Sequence, residues 1–571
     1  MYNCPNCAGN LVFDIASQKL KCEYCSTMLD PYEYQKSQDA EESDVFGVTV
    51  YTCPQCGGEI MTTNVTAAGF CPYCGASTIL DSRMRDEKRP AHIIPFARTK
   101  EDCRKAYSSL VRRALFAPGE FRDPEYLDRF RGIYIPYWVY NYDFNGNLRL
   151  KGSKSFRRGD YKITEHYSMT GAVDARYHGL THDASSSFDD TVAEAIAPFE
   201  ASKMQPFTPS ILCGFYADAP DVGNEVYREQ VLDSISQDSI ERLSGVPEYR
   251  KAGADMPTAD EFKKQLQESA MNLSGEEPAC AYLPVWFLTY RKNDRVAYAV
   301  MNGSTGKITA DLPVDGRKYL LGSLLLAVPI FALLSFFLTM TGQMVLTASS
   351  VLALISLVIY GLELSAISDK DTHANDKGFT AAGRKADSAG SQDSQDKNEE
   401  KGLFAIFKKY AKYALLILVV LLVFPRIGLD YLLGNGNLTG FKIYGAVSVL
   451  LLLGVIFFIA ALAESETARK NIVLQIAGSV IAVGSSAAIL VWNPVSDLWF
   501  YGGSILAAAG VCLSFMGIIN KYNILATRPL PTFYDRKGGN DRAKKKAQHI
   551  LFGPCGMHWL SACVFTPCAR R

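Results

Sequence analysis

Neither sign of charge is in excess in this 571-residue chain, where 59 lysines and arginines meet 59 aspartates and glutamates. A protein drawn to nucleic acid by its overall field is thereby excluded. Phosphate-cradling and hydrolytic signatures are missing as well. The sequence has no G-x4-G-K-[ST] loop, no G-x-S-x-G elbow and no H-E-x-x-H helix. P-loop nucleotide hydrolysis, α/β-hydrolase chemistry and zincin proteolysis therefore lack their machinery. Gly303-Ser-Thr-Gly306-Lys307 lacks the spacing to wrap phosphates and reads as a turn between hairpin strands. No signal peptide precedes Cys4, so the N-terminus is expected in a reducing cytoplasm. Charge is also nearly absent from several long stretches between Lys318 and Lys521, which rules out a wholly soluble protein. No residue set announces a reaction, and the expectation is a protein that is not an enzyme.

What is abundant is cysteine in a repeated pattern. Fifteen cysteines occur, and eight form two sets of identical spacing: Cys4, Cys7, Cys22 and Cys25, then Cys53, Cys56, Cys71 and Cys74. Every member recurs 49 residues later, with fourteen residues between the two C-x2-C knuckles of each set. One knuckle binds an ion through two thiolates, and two knuckles complete a tetrahedral site. Gly9, Gly57, Gly58 and Gly75 supply permissive backbone at the turns. Four disulfides would be the reading in a secreted protein, but in the cytoplasm the spacing means metal. The expectation is two structural Zn2+ ions, with no open coordination position for catalysis; iron is the minor alternative, since it too accepts four thiolates. Residues 1–29 balance Lys19 and Lys21 against Asp14 and Glu23, and residues 51–80 carry Glu59 and no basic residue. Neither ribbon has the basic cluster that displaces counterions from phosphate, so a protein partner is favoured over nucleic acid.

Residues 31–50 and 81–90 read as polar linkers. Between 91 and 316 lies a repeat of Y-[IL]-P-x-W-x3-Y, Tyr134 to Tyr142 and Tyr282 to Tyr290, with Trp138 and Trp286 as core anchors. Each copy reads as a strand preceded by a capped helix, Thr99-x-x-Asp102 before one and Thr258-x-x-Glu261 before the other. This predicts a duplicated α+β domain with antiparallel sheet. Val222–Leu243 has helical apolar spacing. Leu148–Lys162 concentrates six basic residues against Asp160, as a hairpin facing lipid headgroups or as a solvated turn. His178 and His182 suit a loop or strand better than a metal-binding helix face.

Six apolar runs follow: Tyr319–Met340, Met344–Leu364, Tyr410–Leu433, Ile443–Leu462, Ile472–Trp492 and Trp499–Ile519. Each is long enough to cross a bilayer. Lysine and arginine fall in alternate loops, which places both termini in the cytoplasm and the protein in the inner membrane. Arg426 and Asp430 stand four apart in the third run, a weak transporter signal. The 368–409 loop is low in complexity and predicted disordered; the 520–571 tail is basic, and its Cys555, His558, Cys563 and Cys568 match no standard metal spacing. The fold class expected is thus multidomain: two small β zinc ribbons (1–30 and 51–80), the duplicated α+β domain (91–316), and an all-α six-helix transmembrane domain. That last domain comprises helices 1–2 in 319–367 and helices 3–6 in 410–519.

The chain resembles a family of largely uncharacterised bacterial multi-pass membrane proteins with tandem N-terminal zinc ribbons. The resemblance is carried by the two ribbons, His92-Ile-Ile-Pro-Phe96, Phe116-Ala-Pro118, Gly132–Trp138, Leu283–Trp286, Met301–Lys307 and Arg528-Pro-Leu-Pro531. It covers roughly residues 1–546. Members are often labelled transcription-factor-IIB-type zinc-ribbon or primosomal helicase-like proteins, but the missing phosphate loop gives a helicase motor no support here. Of functional residues, the resemblance implies only the eight cysteines, as metal ligands. The expected function is a membrane-anchored, non-enzymatic adaptor with the bilayer and a protein as partners. A membrane-tethered nucleic-acid factor and a transporter with a regulatory zinc-ribbon domain are the alternatives.

Overall fold

The computed structural model describes residues 2–37, 44–63, 70–77, 81–251, 253–268, 271–292, 294–337, 341–388, 438–462 and 472–533. The first cysteine module is a three-stranded antiparallel sheet of β1 (Leu11–Asp14), β2 (Lys19–Cys22) and β3 (Met28–Leu29). The stretch after it is no linker. It forms α1 (Pro31–Ser37) and then β4 (Val45–Thr52), which pairs with β5 (Glu59–Thr62) and, along its whole length, with β6 (Asp81–Lys88). The charged sequence of β6 disguises it as a linker. Its Arg83 and Arg85 in fact reach across to the buried Glu59, at 2.6 and 3.2 Å.

These strands join a sheet of fourteen strands among the described residues. Its centre is β8 (Arg131–Arg158), which continues through a turn at Gly159 (φ 61°) into β9 (Tyr161–Asp183). β8 also pairs antiparallel with β11 (Ala279–Lys292), which is followed by β12 (Arg295–Asn302). The two Y-x-P stretches meet face to face: Ile135 lies opposite Leu283, Tyr134 opposite Pro284 and Pro136 opposite Tyr282. Both prolines turn their carbonyls to the loop that follows their own hairpin, Pro136 to Ala184 N–H and Pro284 to Gly303 N–H, each at 2.8 Å. The missing proline N–H therefore costs the β8–β11 ladder nothing.

The short strands cross in the same way. β7 (His92–Ile93) precedes the first long strand in sequence but runs parallel to β11; β10 (Tyr216–Ala217) precedes the second but runs parallel to β8. Trp286 donates its indole N–H to Arg98 O at 2.8 Å, and Trp138 donates to Val222 O at 2.9 Å. Trp286 is a buried core anchor, as expected, whereas Trp138 is half-buried and packs against the margin of its cluster.

The helices follow their sequence signals. In α2 (Lys100–Arg113) Thr99 and Asp102 cap each other, and Cys103, Tyr107 and Val111 form one buried face at helical spacing. Then come α3 (Asp190–Ile196), α4 (Arg228–Ser244), packed through Val231, Leu232 and Ile235, and α5 (Ala259–Gln267), whose Thr258–Glu261 capping box also forms.

Beyond Asp315 the described residues form five largely apolar helices and one polar helix: α6 (Gly316–Phe337), α7 (Gly342–Asp371), the polar α8 (Lys377–Ser388), α9 (Leu438–Leu462), α10 (Ile472–Trp492) and α11 (Asp497–Leu525). Three of these, α7, α10 and α11, are long and apolar enough to cross a membrane, which points to membrane association. The sequence-predicted third span, with Arg426 and Asp430, lies outside the described residues, as do Cys555, His558, Cys563 and Cys568. α10 and α11 approach closely: a Cβ on Gly478 would stand 2.8 Å from Gly510 O, and one on Gly510 2.6 Å from Ala482 N. Small residues at this crossing let the backbones touch, which is how apolar helices gain packing where lipid is the competitor.

Two segments correct the sequence reading. The 368–409 stretch was expected to be disordered, yet α7 runs on to Asp371 and α8 occupies Lys377–Ser388. Asp376 Oδ1 caps α8 by accepting Phe379 N–H at 2.7 Å, and Lys377 N–H is tied to Asp190 Oδ2 at 2.8 Å. The start of the basic tail is ordered too. α11 continues to Leu525, burying Lys521 completely, and β13 (Arg528–Pro529) adds to the edge of β12.

Candidate metal centres and the junction that holds them

The four knuckles share one hydrogen-bonded turn. Ala8, Ser26, Gly57 and Gly75 each donate N–H back to the first cysteine of their knuckle, at 2.8–3.0 Å. All four have positive φ, between 58° and 73°. In the first module this left-handed position falls on Ala8 and Ser26, so Gly9 does not supply it. Gly9 instead lies under the Tyr24 ring, where a Cβ would stand 2.8 Å away.

Each turn aims two sulfurs at two others. Cys4–Cys25, Cys7–Cys22 and Cys7–Cys25 are 3.6, 3.4 and 3.4 Å apart; Cys53–Cys74 and Cys56–Cys71 are both 3.7 Å apart. Sulfurs at about 2.3 Å from a common tetrahedral ion sit about 3.8 Å from one another. All eight cysteines are free thiols. Thus Cys4, Cys7, Cys22 and Cys25 form one group able to hold a metal ion, and Cys53, Cys56, Cys71 and Cys74 form another. Hydrogen bonds from the Thr27 hydroxyl and backbone hold Cys25 down to about 6, while at Cys7 a bond from Gly9 is outweighed by the neighbouring thiols of Cys25 and Cys22, which push it up to about 12.

Equal in spacing, the two groups sit in different surroundings. Cys7 and Cys25 are exposed and Tyr24 beside them is 84% exposed, whereas all four cysteines of the second group are buried. Tyr73, inside the last knuckle, donates its hydroxyl to Asp218 Oδ2 at 2.7 Å, while its carbonyl accepts from Tyr298 OH at 2.7 Å. Thr289 bonds the Pro72 carbonyl. Phe533, from the segment after α11, closes the cluster: its ring meets Tyr73 edge-on at 5.7 Å, and its N–H bonds Cys56 O at 2.6 Å. β5 pairs with β10, so the second module is continuous with the large sheet.

The route from α11 to Phe533 is a charged junction. Arg295 meets Asp371 at 3.1 Å, Lys370 meets Asp311 at 3.7 Å, and Arg528 bridges Asp189 and Asp311. Asn523 exchanges two hydrogen bonds with the Val314 backbone, at 2.7 and 2.9 Å. Against the upward push of burial, Arg528 and the Thr191 hydroxyl hold the Asp189 carboxyl below its ordinary range. Next to it, burial and then the Asp376 charge push Asp190 up to about 6. A carboxyl raised in the folded state favours folding at low pH, and that contribution fades as pH rises through about 6.

No sequence signal marked this junction except Arg528-Pro-Leu-Pro531. His178 and His182 do not converge. They lie on β9, where His178 pairs with Asp143 at 2.7 Å and His182 stacks on Tyr227 at 5.1 Å. The basic residues of 148–162 surround the tip of the β8–β9 hairpin, where Arg149, Lys151, Lys154, Arg157, Arg158 and Lys162 are exposed.

No protein-family model matches the chain, and no solved structure matches it. It is similar to YdjG, an uncharacterized protein of Bacillus subtilis (strain 168), with 24% identity over 324 residues, 56% of this chain and 91% of that relative.

Proposed function

We propose that this protein is a membrane-anchored zinc-ribbon adaptor without catalytic chemistry of its own. Both tetrathiolate groups take zinc, whose four-sulfur sites are closed and therefore structural. Six spans hold the chain in the inner membrane with both termini in the cytoplasm, following the alternation of loop charge. The 91–316 region is read as a duplicated unit, supported by the Ile135–Leu283 centre of pairing and by the reciprocal bonds of Trp138 and Trp286.

One observation carries the adaptor reading: the second ribbon is walled in as framework, while the first turns its outer knuckle face, with Tyr24, Cys7 and Cys25, to the surroundings. An exposed aromatic on a rigid turn whose one charge is the carboxylate of Glu23 suits a protein surface better than phosphate. A photo-crosslinking residue at position 24 of the intact protein in its native membrane is expected to capture a protein, and Cys7→Ser should abolish the capture. Crosslinks to nucleic acid, or nucleotide hydrolysis by the purified chain, would overturn the reading.

A transporter is the second reading, and one feature favours it. Among the described helices Gln475 of α10 is buried with neither amide atom hydrogen-bonded, and it packs against Gly517 of α11, one turn before the buried Lys521. Buried polar groups at membrane depth mark solute or ion paths.

A further inference from the structure

We propose that Asp189, His373 and Asp376 form a divalent-cation site between the large sheet and the segment that follows α7. Their donor atoms all lie within 4.8 Å of one another. The decisive geometry is that of His373 and Asp376. Nδ1 of His373 is buried and has no hydrogen-bond partner, and it stands 3.6 Å from Asp376 Oδ2. That separation is too long for a hydrogen bond. Two donors 3.6 Å apart, each about 2.1 Å from a shared ion, subtend about 118° there, an ordinary coordination angle.

Both donors are fixed in place. The His373 ring lies flat on Phe379, with centroids 3.8 Å apart. Asp376 is only 4% exposed, and its other oxygen is spent on capping α8. Asp189 supplies the third donor from the far side. Its Oδ1 caps α3 through Thr191 and Val192, which leaves Oδ2 for the site. A cavity of about 230 Å³, bordered by Ser187, Asp371 and Arg528, adjoins the three and has room for water ligands. One imidazole and two carboxylates suit Mn2+, Co2+, Ni2+ or Zn2+ better than the all-oxygen preference of Ca2+ or Mg2+.

Asp189 Oδ2 is also the partner of Arg528. An arriving cation shares or displaces that guanidinium, which keeps Asp311 through Nε at 3.5 Å. Occupancy would thus exchange one fastening of the sheet for another: Arg528 ties Asp189 to the segment after α11, the ion ties it to the segment after α7.

Manganese is the useful probe, because it has little taste for thiolate and leaves the cysteine groups alone. Mn2+ is titrated into the intact, zinc-loaded protein in nanodiscs and followed by electron paramagnetic resonance. The expected result is one Mn2+ per chain, with a single imidazole nitrogen coupled to it in the pulsed spectrum. His373→Ala and Asp376→Asn should each weaken binding by about tenfold or more, while Asp369→Asn, at an exposed carboxylate on the same stretch, binds like wild type. Retained zinc content checks that each variant is folded. Binding absent at about 1 mM Mn2+, a bound ion without nitrogen coupling, or unchanged affinity in the folded His373→Ala and Asp376→Asn proteins would each overturn the proposal.

Discussion

Replacing Cys56 or Cys71 by serine is expected to cost the protein its large sheet, whereas Cys7→Ser or Cys25→Ser should disturb little beyond residue 37. Metal bound to four thiolates contributes about 10–16 kcal/mol to folding in small modules, which matches or exceeds the about 5–15 kcal/mol that holds a whole domain folded. The second group holds together β4, β5, Tyr73 and Phe533, and through them Asp218, Thr289 and Tyr298 of the sheet. Its collapse has no boundary to stop at. The first group supports mainly its own three strands, which touch the rest through Cys4, Leu11, Phe13, Leu20 and Cys22, through the bond from Phe13 N–H to Cys213 O at 2.9 Å and through that from Gln18 Nε2–H to Phe96 O at 2.8 Å. Limited proteolysis separates the outcomes. Cuts in Cys7→Ser should stay within residues 1–37, and cuts in Cys56→Ser should spread between 45 and 310. Cuts confined to 51–77 in Cys56→Ser would show that the second module is not framework.

Arg528→Met should destabilise the protein by about 3 kcal/mol or more, the usual cost of stranding one side of a buried ion pair. Arg528 is 8% exposed, and methionine fills similar space, so charge rather than volume is what is lost. Asp189 and Asp311 would then face each other's field, with Lys370 near Asp311 at 3.7 Å. The segment from 526 to 533 should loosen with it, and hydrogen exchange at Phe533, whose N–H is bonded to Cys56 O, should rise sharply. Arg528→Lys restores one charge but not the fork that reaches two carboxylates, so an intermediate loss is expected. Exchange at Phe533 unchanged in Arg528→Met would contradict the junction described here.

Which of these features the sequence discloses depends on how local their cause is. The two cysteine sets are legible because a knuckle is a turn of a few residues, and its ligands follow from spacing alone. The capping boxes at Thr99 and Thr258 are legible for the same reason, and so is the Ile472–Trp492 helix, whose bounds enclose a run without a charged residue. The unequal fate of the two modules is not legible. It rests on Tyr73 and Phe533, which meet across more than four hundred residues. β6 looks like a linker because its charges find Glu59 only after β4 has brought them alongside. Lys521 reads as a flanking charge, yet α11 carries it inward, with its ammonium over the Tyr360 ring at 5.6 Å. Likewise His373 and Asp376 sit in a stretch whose polar composition suggests disorder. What orders it is Asp190, from the opposite side of the junction.

Staged removal of metal from the intact protein tests the central claim most directly. The nanodisc-embedded chain is treated with a chelator of rising strength, and bound metal is counted by native mass spectrometry while thermal unfolding is followed in parallel. Once a weak chelator has cleared any ion held by Asp189, His373 and Asp376, the account predicts two zinc ions per chain. The first should leave with the unfolding transition nearly unmoved, and the second only together with loss of the sheet. Simultaneous release of both ions, or release of both without unfolding, would contradict it.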